Sequence, residues 1–210
     1  MEININDEGF FYQETAEIIV EQVLSCFQNN VKNFEDFYQW EYNVPISSEE
    51  EDHHHFNFYF RIVRADTKDE DFQYAFFGSA GRDFCDEPSI DLNVLIPKGK
   101  HQNKVKIDRN ELFDVIAHEL HHLAQNNDNN TYRNDKLYSG KMAYLLDPCE
   151  IEAFHIGIRA RIFLTGRTFE DIGLEYMDMI WPEGSQEDKN TVINEWKNTD
   201  FPVFNQNIKQ

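Results

Sequence analysis

The spacing of apolar residues changes twice along this chain of 210 residues, and this restricts the possible folds more than any other feature. Apolar residues recur at helical spacing over residues 13–28, alternate with polar residues over 55–62, and return to helical spacing from residue 108. The first pattern is typical of an amphipathic helix and the second of a half-buried strand. The sequence therefore predicts one α+β domain over residues 1–210, in the order helix, sheet, helices.

The predicted elements follow from these periods. The N-terminal helix, over 13–28, has the apolar stripe Ala16, Ile19, Val20, Val23, Leu24 and Phe27. It is followed by a short predicted helix over 33–41 and by predicted strands over 55–62, 72–77 and 89–96. The remaining predicted elements are helices over 108–125, 148–165, 169–180 and 186–197, with the Asn-rich stretch 126–140 as a loop.

Boundary residues define two of these helices. Asp108 and Glu111 have the spacing of a capping box, in which two side chains satisfy backbone N–H groups of the first turn. Asp147 precedes Pro148, and proline is favoured at the first position of a helix. Gly166 is a typical C-terminal stop. These residues set the predicted bounds of the helices over 108–125 and 148–165.

Composition and charge exclude several classes of protein. Eighteen Phe and nine Tyr argue against disorder, because so many rings must be buried to be useful. Lys and Arg number 19 against 39 Asp and Glu, and the net charge of −20 disfavours binding to a nucleic-acid backbone or an anionic membrane. No apolar run reaches the roughly 20 residues of a membrane span, and the N-terminus has no secretory signal pattern. We expect a soluble cytoplasmic protein, and the sequence does not indicate its oligomeric state.

Acidic residues are concentrated near the N-terminus. Residues 1–60 contain thirteen Asp and Glu and one basic residue, Lys32, so this stretch contributes −12 of the net charge. A solvated surface that favours solubility is the simplest interpretation. The alternative hypothesis is an acidic surface that mimics nucleic acid and binds a basic partner.

The predicted helix over 108–125 contains the segment His118-Glu119-Leu120-His121-His122. His118 and His122 are four residues apart and project from one face on successive turns, a spacing at which two imidazoles can bind one Zn²⁺. Glu119 is then placed as the general base, as in the H-E-x-x-H pattern of metal-assisted hydrolysis. The alternative is that both histidines are ordinary helix residues. The capped amphipathic helix around them favours the metal site.

A zinc site of this kind needs a third protein ligand and an open fourth position. The segment Glu150-Ile151-Glu152-Ala153 begins 28 residues after His122, on the next long predicted helix. An H-E-x-x-H followed by a helical E-x-x-A resembles the gluzincin branch of the zincin metallopeptidases, over residues 108–157. The resemblance implies a zincin-like domain with an N-terminal helix, a small, mostly antiparallel twisted sheet, an active-site helix and C-terminal helices. It also implies one Zn²⁺ per chain.

Two glutamates are candidates for the third ligand. The segment is similar to the E-x-x-A stretch of prenyl-protein-processing and phage-repressor-cleaving peptidases, which matches Glu150, whereas the thermolysin-type pattern matches Glu152. Helix geometry favours Glu150, because it shares its face with the small residues Ala153 and Gly157, where another helix can approach. Against this, Glu150 also occupies the capping-box position relative to Asp147.

One departure from the family pattern concerns the residue that orients a zinc-bound histidine. These families usually carry an acidic or amide residue four positions after the ligand glutamate. That position is Phe154 here, or Ile156 if Glu152 is the ligand. Another group must then hold the imidazoles.

Further roles are expected if the site is catalytic. Tyr138, Tyr144 and His155 are candidate donors to the oxyanion, with ordinary packing as the alternative for each. The family architecture pairs extended substrate with an edge strand, and Ser89–Ile96 is the candidate.

Other polar groups are predicted to carry no chemistry. His53-His54-His55 is expected in a solvated loop, because neighbouring histidines do not converge easily on one ion. Cys26, Cys85 and Cys149 are widely spaced and do not suggest a disulfide framework.

The leading hypothesis is therefore a zinc-dependent metallopeptidase that hydrolyses a protein or peptide substrate, with Glu119 as general base. The alternative is a catalytically silent, acidic interaction protein that binds a basic partner, on a zincin-like scaffold or as a nucleic-acid mimic.

Overall fold

The computed structural model describes residues 8–28, 37–45, 53–66, 72–100, 104–127 and 140–198. Within these ranges the fold is mixed α+β, with six helices and one four-stranded mixed sheet. The elements are α1 (Glu8–Gln28), β1 (Phe37–Pro45), β2 (His53–Ala65), β3 (Ala75–Arg82), β4 (Pro88–Pro97), α2 (Arg109–Asn127), α3 (Lys141–Leu145), α4 (Pro148–Thr165), α5 (Phe169–Ile180) and α6 (Gln186–Asn198). Among the helices described here, none is both long enough and apolar enough to cross a membrane.

The sheet has the strand order β1-β2-β4-β3. β1 pairs with β2 and β3 pairs with β4 in antiparallel fashion, whereas β2 and β4 are parallel. The strand β4 is therefore hydrogen-bonded on both sides. The prediction that Ser89–Ile96 is an edge strand is wrong, because these residues belong to β4, which lies between β2 and β3 in the sheet. In the described part of the sheet, β1 and β3 are the edges.

The first hydrophobic core lies between the sheet and the helices α1 and α2. The predicted stripe of α1 is buried there, and Leu24 at its margin is partly buried. The alternating residues of β2 and β4 also face this core, as their period of two predicts. They are Phe56, Phe58, Phe60, Ile62, Ile90, Leu92, Val94 and Ile96.

The predicted helix over 33–41 is wrong where the structure describes it, because the chain is in β1 from Phe37 onward. Tyr38, Trp40 and Tyr42 alternate along this strand and contact Phe60, Phe58 and Phe56 of β2, with ring centroids 5.6, 5.9 and 5.3 Å apart. Cross-strand aromatic pairs of this kind stabilise a sheet. A helix would separate these rings from their partners. Residues 33–36 lie outside the described ranges.

Two strand boundaries also differ from the prediction. His53–His55 form the beginning of β2, where their backbone pairs with Asn43–Pro45, so they are not in a loop. The strand predicted over 72–77 corresponds to β3, which runs over Ala75–Arg82. Its last residues, Gly78 to Arg82, still pair with β4, although small residues there give little strand signal.

The capped helix ends are largely as predicted. The Asp147 side chain accepts a hydrogen bond from the Cys149 N–H, and Gly166 ends α4 in the left-handed conformation, with φ 67°. Asp108 likewise accepts from the N–H of Asn110, at 2.8 Å. The expected partner Glu111 does not close this capping box. Instead Tyr74 accepts from the Asp108 N–H and donates to Glu111, at 3.0 and 2.7 Å.

A second hydrophobic core is formed by α3 to α6, around the fully buried Trp196. It meets the first core along α2 and α4, which pack antiparallel. Gly157 of α4 allows this close approach, because a β-carbon there would lie 2.3 Å from Asp114 Oδ1 of α2 and 3.1 Å from the Asp114 carbonyl oxygen. This helix pair positions the residues of the predicted metal site.

Candidate metal centre

The antiparallel packing of α2 and α4 brings His118, His122 and Glu150 together. The Nε2 atoms of His118 and His122 are 3.1 Å apart. Glu150 Oε2 lies 3.6 Å from His118 Nε2 and 3.5 Å from His122 Nε2. Within the described residues, this is the one group of His, Cys, Asp or Glu whose ligand atoms converge closely enough to hold a metal ion.

These separations fit a zinc ion. Ligand atoms bound to Zn²⁺ at about 2.0–2.1 Å in a tetrahedral arrangement lie about 3.3 Å from one another. The three observed separations, 3.1, 3.5 and 3.6 Å, lie close to this value. Glu150 Oε2 is also buried and makes no hydrogen bond. Glu150 Oε2 and the two Nε2 atoms thus face one another in a buried cluster, an arrangement that a bound cation would stabilise.

Glu150 does not close a capping box at the start of α4. In a capping box its carboxylate would accept the N–H of Asp147. That N–H donates to the Tyr144 carbonyl oxygen instead, at 3.1 Å. The Glu150 side chain is therefore turned toward the histidines of α2.

Glu152, the alternative third ligand, lies against other residues. Its Oε2 accepts a hydrogen bond from Gln125 at 2.8 Å and is 3.3 Å from His121 Nε2. These contacts lower the pKa of Glu152, with His121 as the main cause. The structure thus groups Glu150 with His118 and His122, and it pairs Glu152 with His121 and Gln125.

Glu119 is buried beside the three ligand candidates, where α2 packs against β3. A β-carbon at Gly78 of β3 would lie 2.3 Å from Glu119 Oε1, so the carboxylate occupies space that any other residue at 78 would fill. Burial, and then the charge of Glu150, raise the pKa of Glu119 to about 7, although His122 opposes this shift. A carboxylate with a pKa near 7 is suited to accept and return a proton at neutral pH.

The electrostatic environments of the two histidines differ. Burial lowers the pKa of His118 well below its ordinary value, and His122 and His121 lower it further. Burial would also lower the pKa of His122, but the neighbouring Glu150 outweighs this and raises it. His118 is therefore held neutral, which is the form that binds metals.

Two contacts hold the imidazole rings from outside the cluster. The His118 ring donates a hydrogen bond to the backbone carbonyl of Ala153, and this must come from Nδ1 because Nε2 faces His122 and Glu150. His122 Nδ1 is 2.8 Å from Gln125 Oε1. Gln125 is not among the site residues that the sequence predicts, although its position three residues after His122 places it on the same side of α2.

Phe154 occupies the position where the families that the sequence resembles usually carry an acidic or amide residue. Its ring packs against His118, with centroids 4.6 Å apart, and stacks on Trp196 of the second core at 4.2 Å. Phe154 therefore limits the movement of His118 by packing and accepts no hydrogen bond from it.

The three candidate oxyanion donors have different positions. Tyr144 lies beside the cluster and hydrogen-bonds Glu150. Burial raises the pKa of Tyr144, and the charge of Glu150 and this hydrogen bond raise it further. His155 faces the second core instead, where Nδ1 donates to the Trp196 carbonyl oxygen at 2.7 Å and Nε2 accepts from Arg159. Tyr138 lies outside the described residues.

Comparisons with known proteins add no further information about the site. No protein-family model matches the chain, and neither a curated protein nor a solved structure matches it. A function must therefore be inferred from the chemistry and geometry of the residues themselves.

Proposed function

We propose that this protein is a zinc-dependent metallopeptidase of the gluzincin type, built on a zincin-like domain. The observation that carries the proposal is the convergence of His118 Nε2, His122 Nε2 and Glu150 Oε2, 3.1 to 3.6 Å apart. The buried carboxylate of Glu119 adjoins this group and supplies the general base that hydrolysis requires. A merely structural zinc site would need a fourth protein ligand rather than a base.

Different residues would bind the metal ion and transfer the proton during hydrolysis. A Zn²⁺ ion bound by His118, His122 and Glu150 would act as a Lewis acid and leave one position open. Glu119 accepts the proton of the attacking water and passes it to the leaving amine of the peptide. In the metal-free protein, burial raises the pKa of Glu119 to about 7, so this carboxyl can hold a proton near neutral pH.

Tyr144 is the candidate donor to the oxyanion that supports this mechanism best. Its raised pKa keeps the hydroxyl protonated, and its hydrogen bond to Glu150 places it beside the candidate ligands, where it would exchange this partner for the oxyanion. Its side chain is 44% exposed and therefore accessible to a substrate. The expectation for His155 is not carried into the proposal, because both of its ring nitrogens are engaged elsewhere.

The edge strand β3 is the place where an extended peptide would bind. Among the described strands β3 pairs with β4 alone, and its Gly78 backbone adjoins Glu119. A peptide added to this edge would gain backbone hydrogen bonds and would carry its scissile bond past the general base. A protein or peptide substrate is therefore the class we propose.

The test is hydrolysis of casein or a peptide library by zinc-loaded wild type and Glu119→Gln. The variant is expected to bind as much zinc as wild type and to lose about 10²- to 10⁴-fold in rate. A chelator should stop the wild type, and added zinc should restore it. Hydrolysis that persists in Glu119→Gln or in the presence of chelator would contradict the proposal. If the folded, zinc-loaded wild type hydrolyses no substrate and instead binds a basic protein in a salt-sensitive manner, the acidic interaction protein would be favoured.

A further inference from the structure

Gln125 connects the two helices that carry the candidate ligands. Its Oε1 is 2.8 Å from His122 Nδ1 on α2. Its Nε2 is 3.1 Å from the Cys149 carbonyl oxygen and 2.8 Å from Glu152 Oε2, both on α4. One side-chain amide thus contacts a candidate ligand and the two residues that flank Glu150 and Ile151.

The partners on α4 determine which way the amide of Gln125 points. A backbone carbonyl and a carboxylate only accept hydrogen bonds, so both require the NH₂ group of Gln125. The opposite orientation would place Gln125 Oε1 against two acceptors. Oε1 must therefore face His122, and as an acceptor it requires a proton on His122 Nδ1.

This proton decides which nitrogen of His122 is free. In a neutral imidazole one nitrogen carries the proton and the other carries the lone pair. With the proton on Nδ1, the lone pair lies on Nε2, the atom that faces His118 and Glu150. The contact of His118 with the Ala153 carbonyl has the same consequence for the other ring.

We infer that Gln125 is a positioning residue that fixes the tautomer and orientation of His122 for metal binding, and that Glu152 and the Cys149 carbonyl anchor it. The inference rests on the proposed metal centre. It assigns to Gln125 the orienting task that Phe154 cannot perform from the usual position in the related families. It also gives Glu152 a role without making it a ligand, because Glu152 acts through Gln125.

The experiment compares zinc affinity among wild type, Gln125→Met and Gln186→Met, by competition with a chromophoric chelator. Methionine keeps the length of glutamine and removes its hydrogen bonds. Gln186 is the matched control, because its amide bonds Asn190 on the exposed surface of α6. Gln125→Met is expected to weaken zinc binding about 10- to 100-fold, whereas Gln186→Met should match wild type.

A second measurement reads the tautomer directly and uses wild type alone, so it remains decisive if Gln125→Met does not fold. Nitrogen–proton correlation spectra of the zinc-free protein, at a pH where the imidazoles are neutral, should show His122 protonated on Nδ1. A folded Gln125→Met should show a mixture of tautomers. Protonation of wild-type His122 on Nε2 would overturn the inference.

These measurements distinguish the role of Gln125 from the metal centre itself. If wild type binds zinc and Gln125→Met binds it equally tightly, the role of Gln125 is refuted and the metal centre stands. If wild type binds no more zinc than His118→Ala, the metal centre itself is refuted. Melting of the zinc-free variants separates a loss of affinity from a general loss of stability.

Discussion

Glu119 can lie where it does because residue 78 has no side chain. A β-carbon on Gly78 would be 2.3 Å from Glu119 Oε1 and 2.6 Å from both Cδ and Cγ. Real β-carbons do not make contacts this short, so Glu119 would have to move. The position of the proposed general base thus depends on a glycine in a neighbouring strand.

We predict that Gly78→Ala reduces peptide hydrolysis about 10²- to 10⁴-fold, the typical contribution of a general base. Zinc content should stay unchanged, because the alanine displaces Glu119 and does not reach the ligand atoms. The control is Gly81→Ala on the same strand, where a β-carbon meets nothing within 4 Å. Equal activity of Gly78→Ala and Gly81→Ala would show that Glu119 is not held by β3.

Asp114 is an acidic residue that is fully buried between α2 and α4. Arg161 lies nearby, with Nη1 3.9 Å from Asp114 Oδ2. Burial raises the pKa of Asp114 to about 7, although Tyr176 and Arg161 favour its ionised form. Since its ordinary value is 3.8, the folded protein holds this proton at pH values where the unfolded chain has released it.

The sign of the resulting pH dependence follows from linkage. Between pH 4 and pH 7 the folded state binds more protons at this site, so the Asp114 contribution to stability falls as the pH rises. Asparagine does not titrate, so we predict that the free energy of unfolding of Asp114→Asn rises relative to that of wild type as the pH increases through this range. The total change is on the order of a few kcal/mol, and the difference stays constant above about pH 7.

Urea unfolding of both proteins between pH 5 and pH 8 measures this difference. Asp66→Asn, at an exposed ion pair with Lys98, controls for the loss of one negative charge. A difference between Asp114→Asn and wild type that does not change with pH would contradict the assignment.

Sequence alone identifies the residues of the site whose spacing along a helix is itself the signal. His118, Glu119 and His122 follow from one helical turn, whereas the small residues on the face of Glu150 only favour it over Glu152, and the packing of α4 on α2 groups Glu150 with the histidines. Gln125 could not be recognised in this way, because its role depends on two acceptors that α4 brings to it. The role of Gly78 likewise cannot be recognised from the sequence, because it depends on the packing of β3 against α2.

At the scale of elements, the packing of α2 on α4 determines the geometry of the candidate site. The helices approach closely at Gly157, where a β-carbon would lie 2.3 Å from Asp114 Oδ1. His118 is one turn along α2 from Asp114, and it packs against Phe154, three residues before Gly157. A change in the separation of the helices at Gly157 would therefore reach the ligands.

We predict that Gly157→Ala destabilises the protein by about 1–3 kcal/mol through overpacking, despite the higher helix propensity of alanine. It should also weaken zinc binding, since Glu150 moves away from the histidines. Gly173→Ala in α5 is the matched control, because its β-carbon meets only the Ile193 side chain, at 3.1 Å, inside the second core. Both are measured by thermal melting and chelator competition. Unchanged zinc affinity in Gly157→Ala would show that the ligands do not depend on this contact.

The elements differ in how well their sequences predict them. Strong periods and caps predict α2, α4, α5 and α6 to within two residues. In contrast, the sequence predicts a helix over 33–41, which includes the first residues of β1, because Phe34, Phe37 and Tyr38 satisfy helical spacing over a short stretch. The pairing of β1 with β2, in which Tyr38 faces Phe60 and Tyr42 faces Phe56, determines the strand. Such long-range pairing is not encoded in local spacing.

At the scale of the whole molecule, the candidate centre lies where two hydrophobic cores meet. The helix α2 packs with α1 and the sheet, and it supplies His118, Glu119 and His122. The helix α4 packs with α3, α5 and α6, and it supplies Glu150. A metal ion bound by both helices would link the two cores. The net charge of −20 also favours the binding of a cation over that of an anionic ligand.

Metal content is the measurement that tests the central claim most directly. Plasma mass spectrometry of purified wild type, Glu150→Gln and Glu152→Gln, each shown to be folded by circular dichroism, gives the number of zinc ions per chain. We predict one zinc per chain in wild type and in Glu152→Gln, and none in Glu150→Gln. Absence of zinc from folded wild type after zinc has been supplied, or loss of zinc from Glu152→Gln alone, would contradict the proposed metal centre.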